Sequence, residues 1–98
     1  MRFGSFVFSI SADQNADHDV IAQTLSEIEL AEEVGFDAVW LTEHHVDGAV
    51  AYADPVVFGA AVAARTKRVL IGFAVVEMAL HHPVRLAVQT SLVDRKST

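Results

Sequence analysis

The chain has 98 residues, enough for one small domain, and 52% of them are hydrophobic, with a mean hydropathy of +0.34. A net charge of −6 argues against nucleic-acid binding, and the lack of cysteine excludes disulfides and thiolate chemistry. No apolar run approaches the roughly 18 to 20 residues that cross a bilayer, and no signal-peptide pattern opens the chain. We therefore expect a soluble, non-exported, cytoplasmic protein without membrane contact.

The first predicted unit is a strand, a loop and a helix. Residues 2–10 are rich in aromatic and β-branched side chains, which predicts a strand, and residues 11–19 form its polar loop. A helix is predicted over residues 20–34, with Asp17 or Asp19 as its N-cap. Its apolar side recurs at steps of four and three residues: Ile21, Leu25, Ile28 and Ala31.

The second unit begins in the most informative segment of the chain, AEEVGFDAVWLTEHH at residues 31–45. Gly35 can adopt the positive φ of a helix C-terminal cap. The apolar run at residues 38–41 then predicts a short buried strand. Glu43, His44 and His45 follow at once, where loops of α/β folds carry active sites.

A second helix is predicted from Pro55 to about Thr66, with Asp54 as its N-cap and Pro55 at its first position. It is apolar on every side, as a helix wedged between neighbours would be. Residues 69–76 predict a third strand, residues 77–82 a loop, and Pro83 opens a helix that runs toward residue 93.

Three strand-helix units in series predict an α/β fold with a parallel sheet and right-handed crossovers. All the loops after the strands then meet at one edge, and the five histidines fall in those loops: His18, His44, His45, His81 and His82. Helices on one side leave the other side of the sheet uncovered. We therefore expect a fragment of a larger domain, or a homo- or hetero-oligomer that covers this face.

His44 is the main candidate for chemistry, because imidazole titrates near neutral pH and catalytic groups concentrate at this edge. The alternative is a histidine bonded to a backbone carbonyl. Neighbours on an extended segment point to opposite faces, so a contact between Glu43 and His44 is not assured. We favour a structural ion pair for Glu43.

The two His-His pairs raise the question of a metal site, since imidazole binds several transition metals. Neither His-x-His on a strand nor His-x3-His on a helix occurs, so we predict no metal. His82 precedes Pro83 and is expected to help start the third helix. Gly72 and Ala74 offer little bulk, which would let a flat ring approach the backbone, but a crowded core is the explanation that we favour.

Four segments, in this order and spacing, resemble the N-terminal part of the bacterial luciferase-like, flavin-dependent monooxygenases: MRFGSFVF, AEEVGFDAVWLTEHH, DPVVFGAAVAARTKRVLIGFAVV and HHPVRLAVQTSLVD. The resemblance implies that residues 1–98 are the first three βα units of a (β/α)8 TIM barrel, left incomplete. It also implies a small-molecule substrate that is oxygenated with reduced FMN as cofactor and dioxygen as co-substrate. A related branch uses the deazaflavin F420 and transfers hydride instead.

The same resemblance assigns roles to individual residues. His44, the first histidine of the EHH motif, would be the active-site acid or base. The small pair that ends the third strand falls on Ala74 and Val75, where the family can hold a non-proline cis peptide against the flavin ring. Glu43 joins these two as a candidate cofactor-binding residue. Since the family holds the flavin phosphate on later strands, we expect these 98 residues alone to bind flavin weakly and to have little activity.

Three other functions stay open on the sequence. The nearest is an F420-dependent hydride-transfer oxidoreductase. A different class is a non-catalytic half-barrel that assembles as an oligomeric scaffold. A metal-dependent barrel hydrolase comes third.

Overall fold

The computed structural model describes residues 1–97, which form a three-stranded parallel sheet with helices packed on one face. The strands are β1 (Gly4–Val7), β2 (Ala38–Leu41) and β3 (Leu70–Phe73), in the order β1-β2-β3. The helices are α1 (Asp17–Glu33), α2 (Pro55–Arg65) and α3 (Pro83–Ser97). Short 3-10 turns at Gln14–Ala16 and Met78–Leu80 precede α1 and α3. The predicted α/β order and parallel pairing are confirmed.

The core lies between β2 and the helices. Val39 and Leu41 have no exposed surface and pack with Ile28 of α1 and Val62 of α2. The predicted apolar side of α1 is confirmed, because Leu25, Ile28 and Ala31 are buried and Ile21 packs against them. The strand alternation that turns Val39 and Leu41 toward the helices turns Trp40 to the other side.

The other side of the sheet, here called the open face, carries exposed Phe6, Trp40 and Leu70. The Trp40 indole lies across both neighbouring strands. A Cβ added at Gly4 would come within 2.6 Å of the indole nitrogen, and one at Gly72 within 2.5 Å of its six-membered ring. The flat ring beside Gly72 is thus the protein's own indole, and the crowded core favoured for that position stays a prediction.

Strands β1 and β3 are shorter than predicted. After Val7 the chain leaves the sheet and pairs with the loop between β2 and α2, through Ser11 N–H to Ala49 O and Ala51 N–H to Ser9 O. β3 ends at Phe73, where the backbone turns through a cis peptide. Both limits depend on partners far away in sequence, which local propensity does not register.

The predicted cap of α1 is wrong. The N-cap position is Ala16, without a side-chain cap bond, because a 3-10 turn capped by Asp13 runs directly into the helix. Asp17 and Asp19 therefore lie in the first helical turn, and His18 lies with them in α1 rather than in a loop. The cap of α2 is confirmed, since the Asp54 carboxylate accepts the N–H groups of Val56 and Val57 at 2.8 and 3.1 Å.

Two further expectations about helices are corrected. α2 is not covered on every side within residues 1–97, because Val57 is 65% exposed and its neighbours Ala60 and Ala61 are exposed with it. α3 extends past the predicted end at residue 93. No helix in the described part of the chain is long and apolar enough to cross a membrane.

Candidate functional site

The carboxyl ends of the three parallel strands meet at one edge of the sheet, here called the rim; the opposite edge is called the base. Register places Val7, Leu41 and Phe73 side by side as the last strand residues. The segments that follow bring together His44, the Ala74–Val75 peptide and a cluster around Glu43. The three parts are described in turn.

His44 lies three residues beyond the end of β2, and its N–H donates to Ala53 O at 3.1 Å. The half-buried ring meets the Phe8 ring edge-on, with centroids 5.0 Å apart and planes at 74°. Its two ring nitrogens have no hydrogen-bond partner among residues 1–97. A hydrogen bond from the His44 ring to a backbone carbonyl, the alternative that the sequence left open, is therefore not found among residues 1–97.

The peptide between Ala74 and Val75 is cis, at the position where the sequence resemblance placed such a bond. Ala74 N–H donates to Leu41 O at 2.8 Å, so the first residue after β3 is fixed to the last residue of β2. Val75 is 61% exposed. A small and an apolar side chain therefore border the rim directly after β3.

Glu43 is a buried carboxylate at the centre of a hydrogen-bonded cluster. Its side chain has no exposed surface, and Oε1 accepts from Nε2 of His45 and Nε2 of His81, both at 2.7 Å. Oε2 accepts the N–H of Glu77 at 2.8 Å. Since an ionised carboxylate only accepts, both imidazoles carry hydrogen on Nε2. The structural role favoured for Glu43 thus takes the form of hydrogen bonds to His45 and His81 rather than a contact with His44.

The cluster changes the protonation of its members. Burial raises the pKa of Glu43, but the hydrogen bonds from His45, from the Glu77 N–H and from His81 outweigh it, so the net pKa lies below the usual 4.5. The hydrogen bond to the Glu43 carboxylate raises the pKa of His45 above 6.5. The hydrogen bond between Glu43 and His45 thus favours the ionised form of the carboxyl and the protonated form of the imidazole.

A cavity of about 310 Å³ adjoins this cluster, between the N-terminal ends of α2 and α3 and away from the open face. Charged and polar side chains supply much of its lining: Glu43, His45, Asp54, His81, His82 and Arg85. The ring of His82 accepts the N–H of Val84 at 3.2 Å, which is the helix-starting role predicted for it. Among residues 1–97, no group of three or more His, Asp or Glu side chains could hold a metal ion.

Sequence reasoning missed the contacts of Glu43 with His45, His81 and Glu77. One signal was present, because residues two apart on an extended segment share a face, which places Glu43 and His45 together. No comparable signal links Glu43 to His81 or Glu77, which lie 38 and 34 positions further on.

Comparison with known proteins shows which family this chain resembles. The family model described as luciferase-like monooxygenase matches residues 1–98. The alkanal monooxygenase alpha chain of Photorhabdus laumondii is 32% identical over 97 residues, which are 99% of this chain and 27% of that protein. Limonene 1,2-monooxygenase of Rhodococcus erythropolis is 36% identical over 95 residues, covering 97% of this chain and 24% of that protein. The chain thus spans about a quarter of the length of these curated relatives.

Solved structures agree with the sequence relatives. Monooxygenase RslO1 from Streptomyces bottropensis superposes with a TM-score of 0.89 at 33% identity, covering 99% of this chain and 30% of that one. The oxygenating constituent of 3,6-diketocamphane monooxygenase from Pseudomonas putida, solved in complex with FMN, gives 0.85 at 18% identity, with 99% and 27% covered. The second likeness establishes the shared fold.

Proposed function

Because the chain belongs to the luciferase-like monooxygenase family, we propose that it supplies one side of a flavin-dependent oxygenase site, in which reduced FMN and dioxygen oxygenate a small organic substrate. The observation that carries this is the juxtaposition of an unpaired imidazole, His44, and the cis Ala74–Val75 peptide at the rim ends of two neighbouring strands. The sheet is proposed to be the first three βα units of a (β/α)8 barrel, in which further strands cover the open face.

The rim residues suit a flavin ring system in size and polarity. Phe8 and Val75 are 41% and 61% exposed, and Ala74 offers no bulk that would keep a flat ring from the backbone. Flat, largely apolar cofactors bind in clefts lined mainly by such side chains with few polar groups. Ala74 and Val75 would support one face of the ring, with His44 as the polar group near its edge.

Bound reduced FMN supplies the electrons that activate dioxygen. The part of His44 is to hold or move a proton through a ring nitrogen, which no group of residues 1–97 occupies. Its edge-on contact with Phe8 fixes the ring plane without using a nitrogen. Such a positioned acid or base contributes about 10²- to 10⁴-fold to a rate.

The test replaces His44 in the polypeptide as its gene encodes it. We expect His44→Ala to lower the rate of aldehyde or terpene oxygenation with reduced FMN by about 10²-fold or more. His18→Ala is the matched control, because that imidazole is 93% exposed and its one hydrogen bond within residues 1–97 is to Asp19. Equal losses in both variants would contradict the role of His44.

The remaining alternatives have their own readouts. Anaerobic hydride transfer with F420, in the absence of any reaction with reduced FMN, would replace the oxygenase by the reductase. A folded oligomer with no affinity for either cofactor would support the scaffold instead. Activity that a chelator abolishes would favour the metal-dependent hydrolase.

A further inference from the structure

The four residues directly after β3, here called the rim arch (residues 74–77), are attached at one end to the last residue of β2 and at the other end to the segment that follows β2. Ala74 N–H donates to Leu41 O, and Glu77 N–H donates to Glu43 Oε2, each at 2.8 Å. Within residues 1–97, neither Val75 nor Val76 donates a backbone hydrogen bond. The arch thus donates two hydrogen bonds, of which the one from Ala74 is an ordinary backbone contact and the one from Glu77 needs a particular side chain. Glu77 O also accepts Leu80 N–H at 2.9 Å, within the 3-10 turn that follows.

The Glu43 carboxylate is itself held in place by two imidazoles. His45 and His81 both donate to Oε1, so Oε2 is left to point at Glu77. His45 belongs to the loop after β2, and His81 belongs to the segment that leads into α3. A buried carboxylate with donors on both oxygens has one orientation, and any movement would leave polar hydrogens without partners.

We propose that Glu43 is a positioning residue, which shapes the rim arch for flavin by fixing the Glu77 backbone, and not a direct ligand of the cofactor. The inference rests on the proposed function, since it concerns the same Ala74–Val75 contact. Glu43 would then act on flavin binding indirectly, because both oxygens of its carboxylate already accept hydrogen bonds from the protein. The residues that it positions are those that border the rim.

The hydrogen bond can be removed without touching Glu43. Glu77 has φ of −78°, which lies within the range that proline adopts, so Glu77→Pro deletes the N–H donor without changing the required φ. Glu77→Ala is the matched control, because it removes the same side chain and keeps the N–H. A second pair acts on the acceptor: Glu43→Ala removes it, whereas the amide oxygen of Glu43→Gln can still accept from Glu77 N–H while its NH2 group donates to two neutral imidazoles.

The first measurement is anaerobic titration of the polypeptide, as its gene encodes it, with reduced FMN. We expect Glu77→Pro and Glu43→Ala to raise the dissociation constant about tenfold, as loss of one positioning hydrogen bond would. Glu77→Ala and Glu43→Gln are expected within about twofold of the unaltered protein. Such rescue by the conservative variants would not follow from a general loss of stability.

The second measurement needs no flavin. Amide hydrogen exchange should show Glu77 N–H protected in the unaltered protein and in Glu43→Gln, and exposed in Glu43→Ala. Ala74 N–H, whose acceptor is a backbone carbonyl, serves as an internal control and should stay protected in all three.

The two possible failures are distinguishable. An unaltered protein that does not bind reduced FMN removes the proposed function, and this inference with it. If the protein binds reduced FMN and Glu77→Pro binds it as well as Glu77→Ala does, the inference alone is overturned. Unchanged protection of Glu77 N–H in Glu43→Ala overturns it independently of flavin.

Discussion

At the base of β2, the Glu32 carboxylate accepts three consecutive backbone N–H groups, those of Lys67, Arg68 and Val69, whereas at the rim Glu43 accepts two imidazoles and one backbone N–H. Glu32 lies in the last turn of α1, before β2, and Glu43 lies two residues after β2; each binds the backbone of a segment next to β3. Three residues after each, the chain passes through a positive φ, at Gly35 (101°) and at Val46 (50°). The segments before and after β2 thus both contain a glutamate that accepts hydrogen bonds and a residue with positive φ, but the donors to the two glutamates differ.

The difference distinguishes contacts that stabilise the sheet, at the base, from contacts beside the proposed site, at the rim. Backbone N–H groups at the base do not titrate, and glycine adopts a positive φ without cost. At the rim, two of the three donors are imidazoles, and the positive φ falls on a β-branched residue, which is strained there. Strain and titratable contacts concentrate where ligands bind. The contacts at the base therefore do not depend on the protonation of their donors, whereas the contacts at the rim hold a defined geometry that responds to it.

The largest expected effect is the loss of the rim glutamate. Glu43→Ala leaves two imidazoles and one N–H without their buried acceptor, so we expect it to lower the free energy of unfolding by about 3 kcal/mol. Glu43→Gln, which keeps three polar contacts, should lose less than half of that. Urea unfolding monitored by circular dichroism measures both. A smaller loss for Ala than for Gln would show that the cluster does not stabilise the rim.

The base glutamate comes second. Its hydrogen bonds are near the surface, where water can replace them, so Glu32→Ala should cost about 1 to 2 kcal/mol by the same measurement. Glu33→Ala is the control, since the neighbouring side chain is exposed. If Glu32→Ala costs more than Glu43→Ala, the base and not the rim carries the more critical carboxylate.

Local signals were sufficient for part of the fold. Asp54 and Pro55 mark the start of α2 through their own chemistry, and the short apolar run at β2 has the predicted bounds Ala38–Leu41. The Glu32 contacts with residues 67–69 carried no such signal, because donors and acceptor are separated by more than 30 positions and the donors are backbone groups that every sequence has. Of the site, the rim position of His44 followed from the strand pattern, while the roles of Ala74 and Val75 came from the family resemblance.

The next effect concerns the two positive-φ residues. Val46→Gly should stabilise the protein by about 1 kcal/mol, since relief of strain exceeds the entropy that glycine adds to the unfolded chain. Gly35→Ala should destabilise it by about 1 to 2 kcal/mol through backbone conformation alone, because no atom lies within 4 Å of the added Cβ. Thermal unfolding of both variants measures the two changes in stability. If both variants were stabilised or both destabilised, the proposed difference in backbone strain between base and rim would be wrong.

The smallest expected effect is the response to pH. Because hydrogen bonding to Glu43 raises the pKa of His45 above its unfolded value of 6.5, its stabilisation is complete below pH 6.5 and is lost as pH rises through the raised pKa. At the base, burial raises the pKa of Glu32, but hydrogen bonds from Val69, Arg68 and Lys67 lower it further, to below 4.5. The stabilisation by Glu32 is therefore present above pH 4.5 and is lost only as pH falls through the lowered pKa.

Urea unfolding at about pH 6 and about pH 9 separates the two ends. The unaltered protein should be less stable at the higher pH, and His45→Gln should flatten this dependence. Glu32→Ala should leave it unchanged. If the free energy of unfolding of His45→Gln still falls between these two pH values, another group causes the loss of stability at high pH.

Trp40 is the only tryptophan of the chain, and it lies at the centre of the open face, 43% exposed, across Gly4 and Gly72. The sequence therefore carries one tryptophan fluorophore, placed where any strand, subunit or apolar ligand would have to settle in order to cover the sheet. Covering that face would shift the indole emission to shorter wavelength, while events at the base or in the helices would leave it largely unchanged. The fluorescence of Trp40 can therefore report whether the open face of the sheet is covered.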